Sequence, residues 1–311
     1  MSTPGEDKAV EPASRSFLLP IDGPELVFGL VGPIGSNLSL VSEELSKQLS
    51  RVGYQSHLVR VSELLHDLKG LKYLKRTKSE AQRIDKHMDA GNAVRKSLGR
   101  GDALALLSVS AIRNIRRGLT KDPTKASENT AYILRSLKHP SEIETLRKVY
   151  GQGFIQISVY CPREERIKLL SKALAKSEND TNVSNYRHEA ERLIRRDEAE
   201  VDNDLGQNVR ESFPEADVVI DARKRKNVEV ALTRFINIFF GHPFETPTRD
   251  EFGMYLAKGM SLRSADLSRQ VGSVIVTDQC EVLATGCNEV PKAGGGQYWS
   301  DDDDDMRDFH E

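Results

Sequence analysis

The sequence predicts an α/β protein built on a mostly parallel β-sheet, and three observations lead there. Short apolar runs recur at 26–31, 103–110, 130–137, 153–161 and 216–220, the mark of strands buried on both faces. Between them lie longer, charged segments with apolar residues at helical spacing. A glycine-bearing turn joins the first run to the first helix. Strands that alternate with helices are joined by crossovers, and crossovers make parallel pairs.

In chain order, residues 1–24 are rich in Ser, Pro, Gly and Glu and read as a flexible tail. The first strand, 26–31, is followed by a helix on Leu38, Val41, Leu45 and Leu49, spaced 3, 4 and 4. A second strand is expected over 56–61, then a helical stretch over 62–100 that is strongly basic at 69–76. The run 103–110 reads as a third strand, with 130–137 and 153–161 following. Pro162 suits the first turn of the next helix. Residues 163–200 read as charged helix, 216–220 as the last strand and 226–240 as its helix. The proline-bearing stretch 241–250 marks a boundary. Beyond it a helix is expected over 250–262, and a hairpin of 271–277 and 281–287 joined by Asp278-Gln279. The expected organisation is a tail (1–24), an α/β domain (25–243) and a smaller C-terminal part (244–311).

Composition excludes several classes. The 45 basic and 47 acidic side chains leave a net charge of −2, against the basic excess of a dedicated duplex-DNA binder. No apolar run approaches the roughly 18 residues of a membrane span, and the first residues lack a signal-peptide core. Three cysteines, Cys161, Cys280 and Cys287, do not make a disulfide framework. A cytoplasmic location, without a membrane partner, is expected.

Chemistry concentrates in two places. Strand 26–31 runs into Gly32-Pro33-Ile34-Gly35-Ser36-Asn37-Leu38-Ser39 and then a helix. Strand, glycine loop and helix N-terminus form an anion cradle, because backbone N–H groups converge there and the helix dipole adds positive charge. Against the pattern G-x-x-x-x-G-K-S/T, Gly32 and Ser39 fit. Asn37 replaces the second glycine and Leu38 replaces the lysine. A tight turn without a ligand and a phosphate site without its lysine both fit this loop.

Residues 25–240 resemble the P-loop nucleotide and nucleoside-monophosphate kinases. The matching pieces are the loop, Tyr132-Ile133-Leu134-Arg135 with His139-Pro140 and Glu142, the stretch 159–166, Arg195-Arg196-Asp197, Gly206-Gln207 and the stretch 216–221. The resemblance implies phosphate contacts from Gly32, Gly35, Ser36 and Ser39, with Arg135, Arg195 and Arg196 as clamping arginines; Arg163 and Arg166 are further candidates. Strand 103–110 would end at Ser110, where such a kinase places a metal-orienting acid. With that acid and the lysine missing, nucleotide sensing is favoured over phosphoryl transfer.

The second place is 263–299. Its pieces 268–276 and 284–291, which carry Arg269 and Asn288, resemble the cytidine and deoxycytidylate deaminases, and most of all the bacterial anti-phage deoxycytidylate deaminases. The fold implied is a P-loop kinase-like domain followed by the first part of an α/β cytidine-deaminase-like domain. The resemblance implies zinc-dependent hydrolysis of a deoxycytidine nucleotide, with Asn288 and Arg269 on the substrate. The zinc motifs, H-x-E and P-C-x-x-C, do not occur in the chain. The nearest candidate, His310-Glu311, lacks the spacer. No zinc ligand, no catalytic residue and no bound metal are therefore expected in these residues. Asp301 to Asp305 reads as a solvated run. The expected partners are deoxycytidine nucleotides and a nucleotide at the glycine loop, with an inhibitory partner and self-association left open. The alternatives are a non-catalytic nucleotide-binding regulatory module and a nucleotide kinase.

Overall fold

The apolar run that opens the α/β domain is buried at every position, as strand β1 (Leu26–Val31). The computed structural model that shows this describes residues 23–76, 79–198, 200 and 205–307. Residues 1–22 of the expected tail, and His310-Glu311, lie outside them. The chain divides into two compact units, residues 1–242 and 243–311.

In the larger unit, Asn37 caps α1 (Leu38–Arg51), its side-chain oxygen accepting from the Leu40 N–H at 3.1 Å. The predicted apolar stripe Val41, Leu45 and Leu49 is buried. Strand β2 (Gln55–Arg60) leads into a single turn, α2 (Val61–Leu64). The expected helix over 62–100 is continuous only from Ser79, which caps α3 (Glu80–Leu98).

The expected third strand is not a strand. Residues 103–110 are the first half of a helix, α4 (Ala103–Thr120). A short apolar run has no period of its own. The run continues at helical spacing through Ile112, while Arg113 and Arg117 occupy the other face.

Strand β3 (Thr130–Leu137) is followed by α5 (Pro140–Tyr150), which His139 and Glu142 start as a capping box. Then come β4 (Phe154–Tyr160), α6 (Arg163–Ser177) and α7 (Arg187–Glu198). Pro162 sits one residue outside the first turn of α6, as its N-cap. A single turn, α8 (Val209–Ser212), precedes β5 (Val218–Asp221) and α9 (Arg225–Phe239).

The five strands form one parallel sheet in the order β2-β3-β1-β4-β5. Alternate residues of β1 face opposite layers. Phe28 and Leu30 pack with Val41 and Leu45 of α1 and Val228 and Leu232 of α9. Val27 and Val31 pack with Leu104 and Ile112 of α4 and Leu146 of α5. The helices that follow the neighbouring strands β1 and β3 therefore cover opposite faces. A crevice opens where their C-terminal ends part, the place where doubly wound sheets bind ligands. A third cluster joins α3, α6 and α7 through Met88, Leu170, Leu174, Leu193 and Ile194.

Asp102 starts α4. Its carboxylate accepts from both Arg100 nitrogens at 2.8 Å and from the Thr145 hydroxyl at 2.7 Å. Arg100, and secondarily Thr145, hold the carboxyl down from 3.8 to about 2. A lowered folded-state value stabilises the fold above the unfolded value and is lost as pH falls through the folded one. Asp102→Asn is therefore expected to cost stability at neutral pH, with the gap to the parent closing between about pH 4 and pH 2. Urea denaturation across that range measures it, and a gap independent of pH would contradict it.

In the smaller unit, Thr248 and Glu251 form a capping box on α10 (Arg249–Ser261). The predicted hairpin forms from β6 (Gly272–Val276) and β7 (Val282–Cys287), antiparallel and bulged at Ile275/Val276. Among the described residues of this unit, the buried ones are Ser261 and Ser264, and no hydrophobic side chain is buried. Beyond β7, Pro291 bridges to Gln297, and the Arg263 guanidinium lies 3.6 Å from the Trp299 ring centroid.

Candidate functional site

β1 ends at the glycine loop, which bounds a cavity of about 510 Å³. Gly32, Gly35, Ser36, Ser39 and Arg135 line it. Gly35 has φ +86°, and a Cβ there would stand 2.8 Å from the Arg166 carbonyl oxygen. Only glycine passes both tests.

The loop spends part of its donor set internally. Pro33 has no N–H. Ile34 N–H donates to Asp197 at 2.6 Å, Ser36 N–H to the Pro33 carbonyl at 3.0 Å, and Leu38 N–H to the Ser36 carbonyl at 3.0 Å. The Ser36 hydroxyl also donates to the Pro33 carbonyl. Among the described residues, the N–H groups of Gly35, Asn37 and Ser39 have no internal acceptor.

The cations come from the end of β3. Leu30 of β1 pairs with Arg135, but Val31 pairs with Leu137, so Ser136 bulges out, at φ +77°. A bulge of this kind re-aims the side chains around it. Arg135 and Lys138 both line the cavity. Arg135 Nη1 donates to the Ser39 hydroxyl at 2.9 Å, and among the described residues this guanidinium forms no ion pair. Burial, followed by the charge of Arg60, lowers its affinity for the proton. Lys138 Nζ donates to the Gly32 carbonyl at 2.9 Å and to Asp197 at 3.0 Å.

Five of the sequence-predicted phosphate residues thus meet at one cavity, and two do not. Arg195 is exposed on α7 and does not line the cavity. Arg196 is bound by Asp85 at 2.9 Å, Asp89 at 2.6 Å and Glu200 at 2.7 Å. One residue further on, helical rotation carries Asp197 into the interior, fully buried at the loop. Arg166 is held by the Cys161 carbonyl and Glu198. The comparison of Ser110 with a strand-end acid falls with the misplaced strand: β1 lies between β3 and β4, and β3 ends in Arg135-Ser136-Leu137.

Sequence reasoning missed Lys138, Asp197 and Arg83 as cavity residues. Lys138 carried a legible signal, since it follows the end of a buried strand. Arg83 is paired with Glu80 at 2.7 Å.

In the smaller unit, Asn288 closes the end of β7. Its Oδ1 accepts from Val271 N–H at 2.7 Å and the Ser264 hydroxyl at 3.0 Å, and its Nδ2 donates to the Arg269 carbonyl at 2.8 Å. The Arg269 side chain is exposed. Cys280 Sγ faces the Arg249 carbonyl, while Cys287 Sγ faces Gln297. Among the described residues no three His, Cys, Asp or Glu side chains converge to hold a metal. Among the described residues the donor set does not fit the zinc ion that the resemblance implies. Asp302 and Asp304 pair with Lys292, and Asp305 with Arg307.

A glycine loop between the first strand and the first helix, at the switch point of a parallel sheet ordered β2-β3-β1-β4-β5, defines the larger unit as an α/β domain of P-loop kinase-like architecture. Among solved structures, the chain is similar to a gluconokinase from Sinorhizobium meliloti, at 14% identity over 70% of this chain and 98% of that one, with a TM-score of 0.32. It is likewise similar to the shikimate kinase of Aquifex aeolicus, at 13% identity over 71% of this chain and 100% of that one, with a TM-score of 0.36. No protein-family model and no curated protein sequence matches the chain. Among the described residues no helix is long and apolar enough to cross a membrane.

Proposed function

We propose that the larger unit binds a phosphorylated ligand of nucleotide size at the glycine loop without transferring its phosphoryl group. The observation that carries this is Arg135. It is a half-buried guanidinium without an ion-pair partner among the described residues, fixed beside the open N–H groups of the loop. Such an arrangement lacks only an anion. The cavity lies in the range of small-molecule sites. Transfer needs more: charge neutralisation of the moving phosphoryl group and a metal held in place. Leu38 stands where the lysine would, and the carboxylates lining the cavity are committed, Glu80 to Arg83 and Asp197 to Lys138.

Calorimetry with ATP, deoxycytidine nucleotides and pyrophosphate tests the reading. Arg135→Ala is expected to weaken binding about 10- to 100-fold, the worth of one charge-assisted hydrogen bond. Absence of binding to every phosphate compound would favour a plain turn. Sustained ATP hydrolysis that Ser39→Ala abolishes would show a kinase-type catalyst instead.

The clasp of Asn288 on 264–271 supports a second reading for the smaller unit. It would be the substrate-contacting part of a deoxycytidine-nucleotide deaminase serving anti-phage defence. In that reading Asn288 must exchange an internal hydrogen bond for a sugar hydroxyl. Deoxycytidylate binding that survives Arg135→Ala but not Asn288→Ala would support it. Binding insensitive to Asn288 would refute it.

A further inference from the structure

We infer that Asp197 is a built-in counter-anion of the glycine loop. A ligand phosphate replaces it, and Lys138, released in the exchange, supplies the charge that Leu38 withholds. This rests on the reading of the loop as a phosphate site.

The geometry places the Asp197 carboxylate where a phosphate oxygen would belong. It takes the Ile34 N–H at 2.6 Å and contacts Lys138 Nζ at 2.9 Å. Lys138 in turn holds the Gly32 carbonyl. Together the two side chains bind both ends of the loop's first turn, the donor at Ile34 and the acceptor at Gly32. Lys138 is the one lysine among the described residues lining the cavity, and its charge is cancelled by Asp197. A phosphate group seated on Gly35, Asn37 and Ser39 would lie next to that carboxylate, and like charges at such range repel.

Two features suit Asp197 to leave. One of its oxygens, Oδ1, meets the Lys138 ammonium at 2.9 Å as an ion pair but accepts no hydrogen bond of good geometry. It is also the second-last residue of α7. The apolar residues that anchor α7 in its cluster, Ala190, Leu193 and Ile194, lie before it, so its last turn moves against the ion pairs of Arg196 with Asp85 and Asp89 and of Glu198 with Arg166, not against the core. Once Asp197 swings out, Lys138 and the Ile34 N–H both face the ligand. The loop then regains a cation and a donor together.

The test is calorimetry of inorganic pyrophosphate and ATP with the full chain and three variants, Asp197→Asn, Asp197→Asn/Lys138→Met and Arg135→Ala. Asp197→Asn keeps the size and an acceptor for Ile34 but removes the charge. It is expected to bind about tenfold tighter than the parent. In the double variant Asp197→Asn/Lys138→Met the gain should vanish, because the released cation is gone. Equal or weaker binding by Asp197→Asn, with parental binding still dependent on Arg135, overturns the exchange and leaves the phosphate site standing. A gain that persists without Lys138 overturns the assignment of the lysine. Loss of binding in all proteins, the parent included, removes the phosphate site itself. Should Asp197→Asn fail to fold, hydrogen exchange on the parent decides. Saturating ATP should raise exchange across the last turn of α7 while lowering it across 34–39. Unchanged exchange in α7 with the loop protected overturns the proposal.

Discussion

Arg95→Met is expected to destabilise the larger unit by about 3–5 kcal/mol, the cost of stranding a buried charge. Both partners of the Arg95–Glu142 pair are 0% exposed, and Nη2 donates to the carboxylate at 2.7 Å. Glu142 cannot simply be neutralised without consequence. Its other oxygen accepts the Lys138 N–H at 2.8 Å and caps His139. The same carboxylate therefore anchors α3 through Arg95 and fixes the turn that presents Lys138 to the cavity. For a unit of this size the loss corresponds to a fall in Tm on the order of 10 °C. Glu142→Gln added to Arg95→Met removes the stranded charge and retains an acceptor, and should recover part of the loss. Chemical denaturation of the parent and both variants measures this. A cost under about 1 kcal/mol for Arg95→Met would mean the pair is hydrated rather than buried.

Gly272→Val is expected to abolish amide protection across β6 and β7. A Cβ at 272 would stand 1.9 Å from the Ala257 carbonyl oxygen and 2.4 Å from the Ser261 nitrogen, both backbone atoms of α10. Neither can yield without breaking the helix. Overpacking costs about 1–3 kcal/mol where side chains can adjust, and more where they cannot. The smaller unit has little to set against it, with no buried hydrophobic side chain among its described residues. A core in this size range rarely supplies more than roughly 3–5 kcal/mol. Hydrogen exchange on the full chain reads the hairpin and the larger unit separately. The hairpin should lose protection while β1, β3 and β4 keep theirs. Intact protection of β6 in the variant would show that α10 and the hairpin are not held by this close approach.

Much of the α/β unit was legible in the sequence because its signals are local. Four of the five expected apolar runs are strands, and their limits agree to within two residues; the three central ones, β1, β3 and β4, are buried on both faces over most of their length, which calls for near-continuous apolar side chains. The glycine loop was legible because strand, glycine and helix cap follow one another. The hairpin was legible from its turn. Helix α4 was not, because five apolar residues in a row fit a strand and a buried helix equally, and the arginines that settle the period come after the run.

The site divides in the same way. By itself the sequence determined that a loop built on Gly32, Gly35 and Ser39 lies between a strand and a helix, and that its lysine is missing. Which cations and anions meet that loop was decided by the tertiary structure alone. Insertion of β3 between β1 and β2 brings Arg135 to Ser39 across 96 residues of sequence. Packing of α7 on α3 and α6 turns Arg195 to solvent and Asp197 inward, onto Ile34, 163 residues away. Spacing along a chain reports a residue's side of its own helix or strand. The partner it meets across the crevice follows from strand order and helix rotation, and those are settled by burying the apolar faces of the whole unit at once.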